Sequence, residues 1–158
     1  MDHHPRTQIA AEYLMTLHSP LDPPQGANSD LQIYNVRPGG WVKGPALSGA
    51  VIAPSGDWLR VMPDGARKLD VRLSVRTDDG ALVYIAYTGR ARAPADLVRC
   101  LEAGETLGPD RFYFVITPTF ETAAPAYAWL NDIVAVGKIV SINRSTDRHV
   151  TYDIFAVR

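Results

Sequence analysis

Residues 67–90 alternate between apolar and polar side chains on both sides of one tight-turn sequence, and this pattern strongly constrains the fold. The turn is Thr77-Asp78-Asp79-Gly80, and Asp-Gly supplies the positive φ angles that a short β-hairpin turn needs. Successive side chains of a strand point to opposite faces, so the first strand of the hairpin has two distinct faces. One face is apolar, and the other carries Asp70, Arg72, Ser74 and Arg76. The sequence therefore predicts a hairpin whose charged face either meets water or lines a polar cavity.

Further short alternating segments, separated by turn residues, follow along the chain. They predict strands over residues 13–18, 31–36, 46–54, 58–62, 68–76, 81–91, 112–119, 133–143 and 150–157. One helix is predicted over 94–104, beginning with Pro94 and Asp96 and ending at Gly104. Ser55-Gly56-Asp57 is predicted as a turn. We therefore expect an all-β fold, a sandwich or a single antiparallel β-barrel of about eight to ten strands with one short helix. The domain is expected over 10–158, after a disordered tail over 1–9.

Composition and charge exclude several classes of protein. The chain has 16 Lys and Arg residues and 17 Asp and Glu residues, and the basic ones form no cluster in the sequence. We therefore expect no nucleic-acid partner. No apolar run approaches the roughly 20 residues of a membrane-spanning helix, so we expect no membrane partner. The first residues lack the apolar core of a secretion signal, and Cys100 is the single cysteine. These features predict a cytoplasmic protein.

The sequence contains no motif that is typical of metal or cofactor binding. The four histidines do not combine with Cys, Asp or Glu at metal-ligand spacings in the body of the chain, so we expect no metal. No glycine-rich phosphate-binding loop follows a strand, so we expect no nucleotide cofactor. Nucleophilic catalysis has little support, because no Gly-x-Ser-x-Gly motif occurs and Cys100 has no base near it in the sequence.

A series of short motifs extends through most of the chain. They are Gly44-Pro45-x-Leu-x-Gly49, Gly56-Asp57-Trp58, Pro63-Asp64-Gly65, Leu69-Asp70-x-Arg72, Tyr113-Phe114-x-x-x-Pro118-x-Phe120-Glu121-Thr122, Tyr127-Ala128-Trp129-Leu130-Asn131 and Val136-Gly137. The series resembles the domain of unknown function family 3237, also called the UPF0311 family, from Tyr13 to the C-terminus. The resemblance implies a small closed or nearly closed antiparallel barrel, similar to lipocalin-type architecture. It implies little about activity.

Candidate site residues follow if the mixed faces of the strands look into the barrel. This orientation would gather polar and aromatic side chains into one lumen, as is typical of small-molecule pockets. The candidates are Asp70, Arg72, Tyr84, Tyr113 and Glu121, with Trp129 and Asn131 above them and Trp58 as a further ligand contact.

Each of these candidates has an alternative. Asp70 and Arg72 are either a buried pair oriented on a ligand or an exposed ion pair, which would contribute about 0–1 kcal/mol. Glu121 is either a carboxylate whose pKa is raised by an apolar pocket or a turn residue bonded to nearby amides. Asn131 is either a ligand group or a cap for backbone groups, and Trp58 is either a ligand contact or part of the core.

Two main functions remain open at this point. The first is a cofactor-independent isomerase, cyclase or lyase acting on an aromatic or ketone-type metabolite. Glu121 or Asp70 would move the proton, Arg72 and Tyr84 would stabilise an enolate oxygen, and Trp129 and Tyr113 would pack the hydrocarbon part. The second is a non-catalytic carrier of a small apolar ligand. A third alternative is a filled barrel that serves as one subunit of a homodimer.

Overall fold

The computed structural model describes residues 6–158, so residues 1–5 of the predicted disordered tail lie outside the described part. Residues 6–10 are exposed and belong to no helix or strand. The elements that follow are β1 (Ala11–Pro20), β2 (Gln25–Gly26), β3 (Leu31–Asn35), β4 (Trp41–Lys43), β5 (Gly49–Val61), β6 (Arg67–Thr77), β7 (Leu82–Arg92), α1 (Ala95–Glu102), β8 (Tyr113–Glu121), a 3-10 helix (Pro125–Asp132), β9 (Ala135–Asn143) and β10 (His149–Val157).

Eight of the strands close into a ring. Their order is β5-β4-β1-β10-β9-β8-β7-β6, and pairing of β6 with β5 completes the ring. All of these pairings are antiparallel, while β3 adds to a different part of β5 and β2 adds to β3. The predicted all-β antiparallel barrel with one short helix is therefore confirmed, and the sandwich alternative is wrong.

The hairpin predicted from the alternating pattern is formed by β6 and β7. Its ladder is unbroken from Arg67 opposite Ala91 to Arg76 opposite Leu82. Gly80 has a φ of 92°, a left-handed conformation that a residue with a side chain rarely adopts. The turn sequence therefore fixes the register, and the register decides which side chains share a face.

The apolar faces of the strands look into the barrel, and the mixed faces look out. On β6, Leu69, Val71 and Leu73 are at most 4% exposed, whereas Arg72 and Arg76 are exposed. A closed barrel of this size has one interior, and placing charged groups there costs far more than placing apolar groups there. Our expectation that the mixed faces look inward is therefore wrong.

Strand β5 is continuous where the sequence predicted two strands separated by a turn. A bulge interrupts its pairing, because Ile52 lies opposite Ser74 while Gly56 lies opposite Arg72. Two extra residues of β5 are accommodated between these pairs, and the strand then regains its ladder with β6. As a result, Asp57 lies inside a strand and on its buried face, not in a turn.

Helix α1 begins where β7 ends, close to the predicted position. Leu97 and Leu101 are its buried residues, and Gly104, with a φ of 90°, follows its C-terminus. The short turn predicted near Trp129 is a 3-10 helix, whose Leu130 is fully buried. Among the described residues, no helix has both the length and the apolar character needed to cross a membrane.

Candidate functional site

A cavity lies inside one end of the barrel, beneath helix α1. It is bounded by the first residues of β6 and β10, the last residues of β7 and β9, and Leu101 of α1. Its volume is about 80 Å³, several times the roughly 10–15 Å³ that accommodates one water molecule. Most of its walls are apolar side chains, including Leu69, Val71 and Phe114. The cavity therefore has the size and lining to take a small organic group.

Aromatic rings form one wall of this cavity. The ring of Tyr152 contacts the rings of Tyr87 and Phe114 edge to face, at centroid distances of 5.7 and 5.5 Å. Tyr152 is fully buried and Tyr87 is 4% exposed. Edge-to-face pairs of this kind contribute about 0.5–1.5 kcal/mol beyond the area they bury, so the rings are held in fixed positions.

Asp57 supplies the carboxylate of the cavity. It is 8% exposed, and its Oδ1 accepts a hydrogen bond from the backbone N–H of Asp70 at 3.2 Å. Burial raises the pKa of Asp57 from 3.8 to about 7, helped by the negative charge of Asp70. The hydrogen bond from Asp70 and the positive charge of Arg67 oppose this rise in pKa. The carboxyl group can therefore hold or release a proton near neutral pH.

The two buried tyrosines remain protonated over the whole physiological range. Burial is the largest cause that raises the pKa of Tyr87, and the charge of Asp57 adds to it. Burial also raises the pKa of Tyr152 well above its usual value, with further contributions from Tyr87 and Asp57. Both hydroxyl groups can therefore donate a hydrogen bond in the cavity without losing the proton.

Two buried hydroxyl groups in the cavity form no hydrogen bond of regular geometry with the described residues, although one of them interacts with the hydroxyl of Tyr87. They are the Oγ of Ser19 and the phenolic oxygen of Tyr152. A buried polar group without a partner costs about 1–3 kcal/mol, so such groups are rare in folded proteins. These two hydroxyls are placed to bind a polar atom of an occupant of the cavity.

The rim of the cavity is anchored by a buried histidine and a buried asparagine. The Nε2 of His149 lies 2.8 Å from the Oγ of Ser141. The Nδ2 of Asn143 donates to the carbonyl oxygen of Gly104 and to the Oγ1 of Thr106, each at 3.0 Å. The bonds of Asn143 tie the end of β9 to the loop after α1, and the contact of His149 with Ser141 joins the start of β10 to β9.

His149 also pairs with a second histidine, and this pair predicts a pH dependence. The rings of His18 and His149 lie 5.2 Å apart, and His18 stacks on Trp41. Burial and then the charge of His149 lower the pKa of His18, while Asp147 opposes the shift. A base whose pKa is lowered by folding destabilises the fold as pH falls through the unfolded value of 6.5.

Replacing His18 with glutamine should remove this dependence. At pH 8 we expect the variant to be less stable than the wild type by about 1 kcal/mol, because it loses the ring stacking and a hydrogen bond to Thr151. At pH 5.5 the difference in urea midpoint should shrink, because only the wild type has the imidazole of His18, whose pKa is lowered by folding. A difference that is constant from pH 8 to pH 5.5 would contradict the assignment.

The charged row predicted as the site lies on the outer face of the barrel. Asp70 and Arg72 form an ion pair at 3.3 Å, with side chains 49% and 53% exposed. The guanidinium of Arg72 lies over the ring of Trp58, which is 40% exposed, at 5.8 Å. The structure therefore brings these three candidates together, but outside the lumen, and a role for them in chemistry stays a prediction.

The other predicted site residues are also outside the lumen. Tyr113 is 62% exposed and Trp129 is 41% exposed. Glu121 is exposed and lies opposite the half-buried Tyr84 across the β7–β8 ladder. Asn131 accepts the N–H of Thr122 at 2.9 Å and donates to its carbonyl oxygen at 3.0 Å, as a capping residue does.

Sequence reasoning missed Asp57, Tyr87 and Tyr152. One signal for Asp57 is present in the sequence: if the predicted strand 58–62 is extended back by one residue, Asp57 shares a face with Leu59 and Val61. Tyr87 lies on the apolar face of its strand, with Val83 and Ile85, and that face was assigned to packing alone. Among the described residues, no group of three or more His, Cys, Asp or Glu side chains is arranged to hold a metal ion.

The family assignment rests on a match along nearly the whole chain. The model of the family described as "Protein of unknown function (DUF3237)" matches residues 5–157. The chain belongs to the DUF3237 family. The resemblance seen in the sequence motifs is therefore confirmed.

Relatives in the DUF3237 family share the barrel. UPF0311 protein RPA1785 of Rhodopseudomonas palustris is 38% identical over 119 residues, 75% of this chain and 75% of the relative. Its crystal structure covers 97% of this chain and 100% of that chain at 29% identity, with a TM-score of 0.84. A β-barrel like protein from Acinetobacter baumannii is 31% identical, with 99% and 100% of the two chains covered and a TM-score of 0.77.

A more distant structure extends the fold beyond these bacterial proteins. It is described as an enzyme from Penicillium herquei, and it covers 98% of this chain and 98% of its own. The identity is 18% and the TM-score is 0.66, so the likeness concerns the fold alone.

Proposed function

We propose that the cavity binds a small molecule and that Asp57 moves a proton on it, which makes the protein a cofactor-independent acid–base enzyme. The observation that carries the proposal is a buried carboxyl group with a pKa of about 7 in an apolar cavity that also holds two protonated tyrosines. A pKa near the working pH is what general acid–base catalysis requires. Perturbed carboxyl groups of this kind cluster at functional sites.

The chemistry that fits this set is proton transfer next to a carbonyl group. The carboxylate of Asp57 would take a proton from the carbon beside the carbonyl, which leaves an enolate and a neutral carboxyl group. The hydroxyls of Tyr87 and Tyr152 would donate hydrogen bonds to the enolate oxygen. Asp57 would then return the proton to another carbon, so no oxidant, reductant or metal is consumed. Isomerase, cyclase and lyase reactions on an aromatic or ketone-type metabolite all use such a step.

The carrier function is the second candidate. Its support is the cavity wall, which is mostly apolar and would hold a small apolar ligand without chemistry. The structural neighbour from Penicillium herquei is called an enzyme, which shows that a barrel of this fold occurs in an enzyme and names no reaction. A single cysteine, Cys100, supports a cytoplasmic location for either function.

Exchange of ketone α-protons with D₂O, followed by ¹H NMR over a panel of aryl ketones, tests the proposal. We expect Asp57→Asn to lose about 100-fold or more of the exchange rate while it still binds the ketones. Glu121→Gln and Asp132→Asn serve as matched controls, because they neutralise exposed carboxylates that do not act on the pKa of Asp57. Both controls should stay within about twofold of the wild type, a change too small for a general base.

The outcomes separate the candidates. Binding without exchange in the wild type would favour the carrier. Loss of exchange in Glu121→Gln or Asp70→Asn, with Asp57→Asn unaffected, would favour the outer row predicted from the sequence.

A further inference from the structure

Three arginines line the same cavity near its mouth. Arg67 begins β6, and Arg144 and Arg148 belong to the connection between β9 and β10. All three are half-buried, so their guanidinium groups are partly removed from water. Arg67 and His149 are the first residues of β6 and β10, whereas Tyr87 and Tyr152 lie several residues farther from this end of the barrel.

None of the three arginines forms an ion pair with a carboxylate among residues 6–158. The ion pairs there involve other arginines, such as Arg92 with Asp64. Asp147 lies 3.5 Å from the Nδ1 of His149, and Arg148 donates to the carbonyl oxygen of Arg144 at 3.0 Å.

Among the described residues that line the cavity, the acidic one is Asp57. Its interaction with Arg67 lowers the pKa of Asp57, but the two groups are not in ion-pair contact. Burial outweighs this interaction and keeps the pKa of Asp57 at about 7. The lining of the cavity therefore carries three arginines and a single carboxyl group, which can be neutral near pH 7.

We propose that the cavity selects organic anions, with a carboxylate held by Arg67, Arg144 and Arg148 at the mouth and an apolar or aromatic body beneath helix α1. This inference rests on the cavity of the proposed function and adds the class of its substrate. A guanidinium presents a planar set of donors that matches a carboxylate, often with two parallel hydrogen bonds. In a half-buried setting such charge-assisted bonds are stronger than in open water.

Two buried hydroxyls give the ligand a second point of attachment. The Oγ of Ser19 and the hydroxyl of Tyr152 lie in the cavity and form no hydrogen bond of regular geometry with the described residues. A keto or hydroxyl oxygen on the body of the ligand would satisfy them. The best match is therefore an aromatic acid with one further oxygen, bound with its carboxylate outward and its oxygen inward.

Calorimetric binding of matched acids and amides tests this selection. The probes are phenylacetate, cinnamate and phenylpyruvate, each compared with the neutral amide of the same skeleton, at pH 6 and low salt. We expect the wild type to bind the acids at least tenfold more tightly than the amides. The double variant Arg144→Gln/Arg148→Gln should lose that preference and still bind the amides.

Arg76→Gln is the control, because Arg76 is exposed at the other end of β6. It should keep the preference for acids. Equal binding of acids and amides to the wild type, or equal loss in Arg76→Gln and the double variant, would overturn the proposed selection while the cavity still binds ligands. Failure of every acid and every amide to bind would overturn both the selection and the proposed cavity.

Discussion

Replacing Asp57 with asparagine is expected to stabilise the protein at pH 8 by about 4 kcal/mol and to leave its stability at pH 4 almost unchanged. The cause is the burial that raises the pKa of Asp57 from 3.8 to about 7. At pH 8 the native protein holds a carboxylate that would be better solvated in the unfolded chain. Asparagine has nearly the same shape, can still accept the N–H of Asp70, and has no charge.

The sign of the pH dependence follows from the raised pKa. Between about pH 4 and pH 7 the unfolded chain has released the proton of Asp57 and the native protein still holds it. The native state then binds more protons than the unfolded state, so the stability of the wild type falls as pH rises through this window. The effect is fully developed above the folded pKa and absent below the unfolded pKa.

Urea denaturation at pH 4, 6 and 8 measures this difference. Asp132→Asn is a suitable control, because Asp132 is exposed at the end of the 3-10 helix. Its effect should stay below about 1 kcal/mol at every pH, as is usual for exposed charges. If Asp57→Asn and the wild type have parallel stability profiles, the carboxyl group does not titrate with a raised pKa. A more stable Asp57→Asn with lost proton exchange would be the trade-off expected at a catalytic site.

Replacing Gly49 with alanine is expected to cost about 3 kcal/mol, the upper part of the usual range for overpacking. Gly49 pairs with Val42 of β4 and with Thr77 of β6, so it lies where the ring closes. An added Cβ would overlap the carbonyl oxygen of Arg76 and lie 2.8 Å from the Cα of Thr77. Both are backbone atoms of a paired strand, which cannot move aside as the end of a flexible side chain can.

Gly108→Ala is the matched control for this prediction, because a Cβ at Gly108 would meet no atom within 4 Å. We expect its urea midpoint to stay close to that of the wild type and that of Gly49→Ala to fall clearly below it. Equal midpoints for the two variants would show that the β4–β5–β6 junction has room for a methyl group.

The sequence predicts the closed barrel correctly, but it does not predict which face of each strand looks into the barrel. Alternation at period 2 and the Asp79-Gly80 turn were enough to predict the hairpin and the antiparallel barrel. Alternation separates two faces, but it does not state which face is inside. The sequence motif that holds both Asp70 and Arg72 drew attention to the charged face, although burying that ion pair would cost more than burying Leu69 and Val71.

The burial of Asp57 could not be predicted from the sequence for a different reason. The bulge between Ile52 and Gly56 interrupts the pairing of β5 with β6, and Ser55-Gly56-Asp57 has the composition of a turn. Aspartate is also rare in strands and rarer still in their buried positions, so local preference pointed away from the interior. Only the tertiary pairing with Val71 places it there.

Neighbouring strands of the barrel differ in how many residues they pair. The three-residue β4 shares two residue pairs with β5, and β8 and β9 are joined only through Val115–Lys138 and Ile116–Gly137. These two short pairings, β4–β5 and β8–β9, lie on opposite sides of the barrel. They divide it into two shells, one carrying Asp57 and Tyr87 and the other carrying Tyr152. Asp57 and Tyr152 belong to different shells, so the distance between their side chains depends on these two short pairings, and weakening either pairing would change that distance while the long ladders stay intact.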